Sequence, residues 1–155
     1  MFVNSDFSDL LRIFNVNHVK YLVIGGYAVV QYAEPRYTKD LDIWISTDET
    51  NAEAVYKSLC EFGAPLEELT AKDFSEEGFF FQMGLPPVRV DILMGIPGAK
   101  FEDCWHRRNV VDFDGMPVCF ISKDDLIAAK KASGRPQDLI DAALLAKATP
   151  DKGRE

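Results

Sequence analysis

No run of apolar residues in this chain approaches the roughly 20 that a membrane-spanning helix requires, so a membrane span is not expected. Cysteine is scarce. The three present, Cys60, Cys104 and Cys119, are widely spaced and odd in number, and none forms a CxxC pair. That excludes a disulfide framework and a thiolate zinc site, and makes a reducing cytoplasm the simplest compartment. An excess of positive charge is also missing: 17 Lys and Arg stand against 25 Asp and Glu, a net charge of −8. Broad electrostatic binding to nucleic acid is therefore disfavoured, although a small anionic ligand held by local cations or bound metal is not. The opening MFVNSDFSDL lacks a basic region followed by an apolar stretch, so no secretory signal is read there. Low-complexity segments, long linkers and internal repeats are absent.

What is there is enough for a core. Hydrophobic residues make up 47% of 155 positions, which suits one domain of ordinary size, expected over residues 1–148 with a short tail over 149–155. Phe7, Leu10, Leu11 and Phe14 recur at helical spacing behind a Ser5 or Asp6 cap. Val19 to Ile24 reads as a strand ending in Gly25-Gly26, and Tyr27 to Ala33 as a short helix ended by Pro35. Lys39 to Ile45 reads as a second strand. Ser46 or Thr47 is expected to cap a helix over Glu49 to Phe62, stopped by Gly63. Gly78 to Gln82 and Val88 to Leu93 read as strands, with the Phe79-Phe80-Phe81 run divided between two faces of a sheet. Asp114-Gly115 joins Asn109–Phe113 to Met116–Ile121 as a hairpin. Ser122 with Asp125 opens a helix through Lys131, and Pro136 starts a last one to about Ala148. Mixed strands and helices with an obligatory antiparallel hairpin imply an α/β or α+β domain on a mixed sheet.

Within the strand TKDLDIWI, Leu41, Ile43 and Ile45 alternate with Asp40 and Asp42. Aspartate is depleted in strands. Residues two apart share a face about 6.6 Å apart, so the two carboxylates project together and repel unless a cation lies between them. Divalent metal serves that purpose, and two ions can clamp the attacking and leaving oxygens of a phosphoryl displacement. VRVDILMG offers a third carboxylate, Asp91, on one strand face with Arg89 and Leu93. Gly25-Gly26, after a strand and before a helix, lets backbone approach an anion where helix N–H groups are free.

Together these pieces resemble the nucleotidyltransferase superfamily with the polymerase-β-like fold. YLVIGGYAVVQYAEPRYTKDLDIWI carries the strand, the Gly-Gly, the helix and the acid-x-acid strand, including the Arg-x-Thr-x-Asp-x-Asp run of small bacterial members. SKDDLIAAKKASGRPQDLIDAALL looks like the closing helices of the toxin-antitoxin-associated branch. The resemblance implies that Gly25 and Gly26 hold a nucleotide triphosphate. It implies that Asp40, Asp42 and Asp91 bind two Mg²⁺ ions, with Mn²⁺ an alternative, and that Asp91 helps deprotonate an acceptor hydroxyl. Arg36 and Lys130 are candidate phosphate ligands, with Lys39 a further cation beside the acids. Trp44, alternating with the acids, is a candidate for stacking on a base. Larger relatives add domains or tails that bind the acceptor, so the acceptor is expected to come from a partner, or the cleft to be shared in an oligomer. The net charge favours a protein or small-molecule acceptor over RNA, although Arg107, Arg108, Lys123, Lys130 and Lys131 form a potential basic patch. The competing reading is a non-catalytic antitoxin or protein-binding module on the same fold. Cys60 and Cys119 are expected in the core, and Cys104 with His106 is a poor metal pair.

Overall fold

A computed structural model describes residues 5–33, 35, 38–84 and 89–148. Six strands form one mixed sheet in the order β3-β4-β2-β1-β6-β5. They are β1 (Tyr21–Ile24), β2 (Leu41–Ile45), β3 (Phe80–Met83), β4 (Val90–Leu93), β5 (Asn109–Phe113) and β6 (Met116–Phe120). Strands β2 and β4, and β1 and β6, run parallel, while β1/β2, β3/β4 and β5/β6 are antiparallel. The hairpin turn is made by Asp114 and Gly115, both at positive φ, as the Asp-Gly signal requires.

Alternation along the strands sorts the sheet into two faces. Tyr21, Val23, Ile43, Ile45, Val90 and Ile92 are buried on one face. Helix α1 (Ser5–Val16) lies beside helix α3 (Glu49–Phe62) there, and Phe14 packs on Tyr21 at 5.7 Å. The Phe run divides as expected: Phe81 meets Phe74 of the 3-10 turn Ala71–Ser75 on this face, and Phe80 points the other way. Asn51 ties α3 to the strand ends, since its side chain accepts the Lys20 N–H at 2.7 Å and donates to the carbonyls of Lys20 and Ser46.

Helices α5 (Lys123–Ser133) and α6 (Pro136–Lys147) pack against each other as a pair, and helix α2 (Gly25–Tyr32), leading off β1, packs along β1 and β2, meets α6, and touches Phe7 of α1 through Tyr27 at 5.9 Å. Ser122 caps α5 by accepting the Asp125 N–H, and Gly134 ends it in the left-handed region. Pro136 stands in the first turn of α6.

Several expectations need correction. Helix α2 begins at Gly25, not Tyr27, so the Gly pair belongs to the helix start. The cap of α3 is Asp48, whose side chain accepts the Asn51 N–H, not Ser46 or Thr47; Ser46 instead donates to Asp48. Cys60 is exposed. The buried face of α3 runs through Val55, Ser58 and Leu59, and the next residue turns outward. Helix α4 (Phe101–His106) had no strong sequence signal. Its aromatics account for it, with Phe101 set edge-on to Trp44 at 5.2 Å and stacked on Trp105. Trp44 is therefore only 2% exposed and cannot stack on a base. The residues 88 and 149–155 of the expected strand and tail lie outside the described residues.

Candidate active site

Because Asp42 and Asp91 are register partners on the parallel strands β2 and β4, their side chains leave the sheet side by side. Gln82 of β3 is next to Asp91, and Ile24 of β1 is next to Asp42. A polar row thus crosses the sheet on the face opposite α1 and α3. One residue pair along, Trp44, Leu93 and Phe80 form a parallel apolar row. Asp40 stands just ahead of β2 on the same side. Asp40, Asp42 and Asp91 line a cleft of about 510 Å³, together with Gly25 and, across from the sheet, Lys130, Ser133, Arg135 and Asp138 of the α5–α6 pair. The three carboxylates expected from sequence therefore share one site.

Gly25 is required where it is. Its φ is +72°, and a methyl group in place of its α-hydrogen would run into the Asp42 carboxylate. Gly26 follows it in the first turn of α2. The start of α2 is thereby held directly against Asp42, with Gly25 lining the cleft, whereas Gly26 is not among the described residues that line it.

The electrostatics are those of an acid cluster short of cations. Burial, then the charges of Asp91 and Asp40, push the Asp42 carboxyl up to about 7. Arg89, two residues before Asp91 on the same strand face, lays its fork on both Asp91 oxygens at 3.1 and 3.0 Å. Its Nε also lies 3.9 Å from Asp40. Asp40 nevertheless keeps one buried oxygen, Oδ1, without a hydrogen-bond partner, which is costly unless something else satisfies it. Among the described residues no three His, Cys, Asp or Glu side chains stand ready-made around a metal ion. Arg89 holds Asp91 in the arrangement observed. The donor set itself fits a hard divalent cation: three carboxylates, one with an orphaned buried oxygen and one whose charge is opposed by its neighbours.

Sequence reasoning gave Arg89 no role, although its place on the Asp91 face was legible from the period of two. Lys130 reaches the cleft wall as expected, but its ammonium is engaged by Asp138 and Asp141, both at 3.1 Å. Asp138 also accepts from Ser133 and from Arg135 at 2.9 Å. Burial alone would raise the Asp138 carboxyl; these donors bring it down to about 2. Arg135, its side chain 78% exposed, is the freer cation on this wall. Arg36 lies outside the described residues. Cys104 is buried and His106 exposed, so they do not form a pair. Much of the potential basic patch is spent internally: Arg107 bonds Asp125, Arg108 lies over the Trp105 ring, and Lys123 donates to the Ala148 carbonyl.

No family model matches the sequence, and no curated protein matches it. Solved structures do match its fold. A lincosamide antibiotic adenylyltransferase, LnuA, with lincomycin bound, superposes with a TM-score of 0.61 at 17% identity, over 95% of this chain and 98% of that one. A candidate nucleotidyltransferase from Thermotoga maritima gives 0.58 at 17% identity, over 91% and 88%. ANT(2″)-Ia, in complex with adenylyl-2″-tobramycin, gives 0.58 at 12% identity, over 92% and 86%. The α+β fold with its six-stranded mixed sheet is that of the nucleotidyltransferases.

Proposed function

We propose that the chain is a nucleotidyltransferase, moving a nucleoside monophosphate from an NTP to a hydroxyl acceptor with release of pyrophosphate. The observation that carries this reading is the convergence of Asp40, Asp42 and Asp91 beside Gly25 at the start of α2. Gly25 and Gly26 would bring backbone N–H groups to the triphosphate, and Arg135, exposed and paired at Nε with Asp138, adds a cation from the facing wall. Lys130 contributes to that wall chiefly by holding α5 to α6. Asp40, Asp42 and Asp91 would hold Mg²⁺, with Mn²⁺ as a substitute. When bound, the metal neutralises charge on the phosphates and on the carboxylates.

Asp91 would take the acceptor proton as the new oxygen–phosphorus bond forms and the bond to the leaving pyrophosphate oxygen breaks. Positioning and charge neutralisation do most of the work in such transfers. Two of the matched structures are a lincosamide adenylyltransferase with lincomycin bound and a protein in complex with adenylyl-2″-tobramycin, which supports ATP and a small-molecule hydroxyl as the first substrates to try. The internal engagement of Arg107, Arg108 and Lys123 supports a non-RNA acceptor as well.

The test is label transfer. Wild type and Asp42→Ala are incubated with Mg²⁺ and each α-labelled NTP, with and without cell extract divided into protein, RNA and small molecules. Label moving to one fraction with wild type only is the expected result. Folded wild type that neither binds an NTP nor releases pyrophosphate would move the reading to a binding module.

A further inference from the structure

The cleft is asymmetric in a way that bears on the acceptor. Across the sheet the order is Gly25 at the end of β1, Asp42 on β2, Asp91 on β4 and Gln82 on β3. A phosphoryl displacement proceeds in line, with the attacking and leaving oxygens on opposite sides of phosphorus. If the leaving pyrophosphate rests at the start of α2, the attacking hydroxyl must arrive from the β4–β3 side, over Asp91. There the wall is apolar. Phe80 and Leu93 are register partners on the cleft face, and Ile96 and Pro97 of the β4–α4 connection complete it. Phe80 is 65% exposed, a large aromatic surface left facing solvent inside a cleft. Gln82 is the uncharged hydrogen-bonding group on this side, and among the described lining residues Asp91 is the last carboxylate before the apolar wall.

We propose that this wall is the acceptor subsite, and that its occupant is an uncharged, hydroxyl-bearing small molecule with an aromatic or alkyl body. The inference rests on the nucleotidyltransferase reading and adds the chemical class of its second substrate. The apolar body lies on Phe80 and Leu93, where it gains by leaving water. Gln82 bonds a neighbouring polar group, and the hydroxyl is left beside Asp91. The acceptor oxygen forms a bond to the α-phosphorus, the bond from that phosphorus to the bridging oxygen breaks, pyrophosphate leaves with the electron pair, and the hydroxyl proton passes to Asp91. A polycationic amino sugar finds no carboxylate among the described residues of this wall to pair with, so it is disfavoured despite the net negative charge of the chain.

The experiment is isothermal titration of the protein with Mn²⁺ and α,β-methylene-ATP already bound. The probes are 4-nitrophenyl β-glucoside, glucose and tobramycin. Wild type is expected to bind the nitrophenyl glucoside at least ~10-fold tighter than glucose, about 1.4 kcal/mol, and tobramycin no tighter than glucose. Phe80→Glu is expected to erase the preference and Phe80→Leu to keep most of it, with thermal melts showing that both fold. No preference in wild type, a preference for tobramycin, or a preference untouched in Phe80→Glu would each overturn the proposal. So would sedimentation showing that wild type self-associates and Phe80→Glu does not, because Phe80 would then belong to an interface between copies at the β3 edge. The first titration, of nucleotide alone, separates the two levels: no nucleotide binding sinks the transferase reading and the acceptor subsite with it, whereas nucleotide binding without acceptor preference sinks the subsite alone.

Discussion

At Asp42 the fold holds a carboxylate whose charge is opposed by burial and by two neighbouring acids. Its raised pKa means that the folded state keeps a proton that the unfolded chain gives up from about pH 4. Metal-free stability should therefore fall as pH rises from about 4 to 7 and level off above that. Asp42→Asn should remove the penalty, raising metal-free stability at pH 8 by on the order of 2 kcal/mol while abolishing transfer. Melts across pH, with and without Mg²⁺, check both halves. If Asn lowers stability at pH 8 in metal-free buffer, the electrostatic account of the site is wrong. Arg89 is the complementary case, because it now neutralises Asp91 and approaches Asp40. Arg89→Ala should melt at lower temperature without metal and bind Mn²⁺ roughly 10-fold tighter by electron paramagnetic resonance, since a competing cation has gone. Gly25→Ala should fail for a steric reason, the left-handed φ and the Asp42 carboxylate leaving no room for a methyl group. Its cost is expected at about 1–2 kcal/mol or more, with transfer lost.

Between elements, the α5–α6 pair depends on a short run of ionic contacts. Lys130 faces both Asp138 and Asp141, so Lys130→Met would leave two buried carboxylates without that cation. The expected loss is ~3 kcal/mol, read by urea unfolding, and an inactive Lys130 variant should be judged against that loss. Asp138→Ala should cost less, because Lys130 keeps Asp141. This cluster was only half legible in sequence. Arg135 and Asp138, three residues apart at the start of α6, pair as that local spacing allows. That Lys130 faces inward toward the same carboxylate depends on how two helices lie against each other, which spacing within one helix does not give. Helix α4 teaches the same lesson: six residues with no strong cap are too short to be helical by local preference, and the packing of Phe101 on Trp44 of β2 holds it.

For the molecule as a whole, binding of metal and nucleotide to the folded state alone should raise its melting temperature. At 100 times the dissociation constant the gain is about 2.7 kcal/mol, or roughly 5–10 °C for a chain of this size. Mg²⁺ with ATP should shift wild type and leave Asp42→Ala unmoved. A shift in both would place nucleotide binding away from the acid cluster.

The sequence by itself determined the local pieces: which segments are strands, which strand faces carry Asp40, Asp42 and Asp91, where Gly25 interrupts, and where Gly63 and Gly134 end helices. Each follows from a short-range period or a backbone conformation that few residues adopt. The tertiary structure alone decided that β4, distant in the chain, lies parallel to β2 with Asp91 beside Asp42. It also decided that Arg89 reaches Asp40, that Phe101 seals Trp44, and that Phe80 stands exposed on the cleft wall. These depend on strand order and on cross-strand neighbours. Several pairings satisfy the same alternation of apolar residues, and the choice among them comes from packing both faces of the sheet at once.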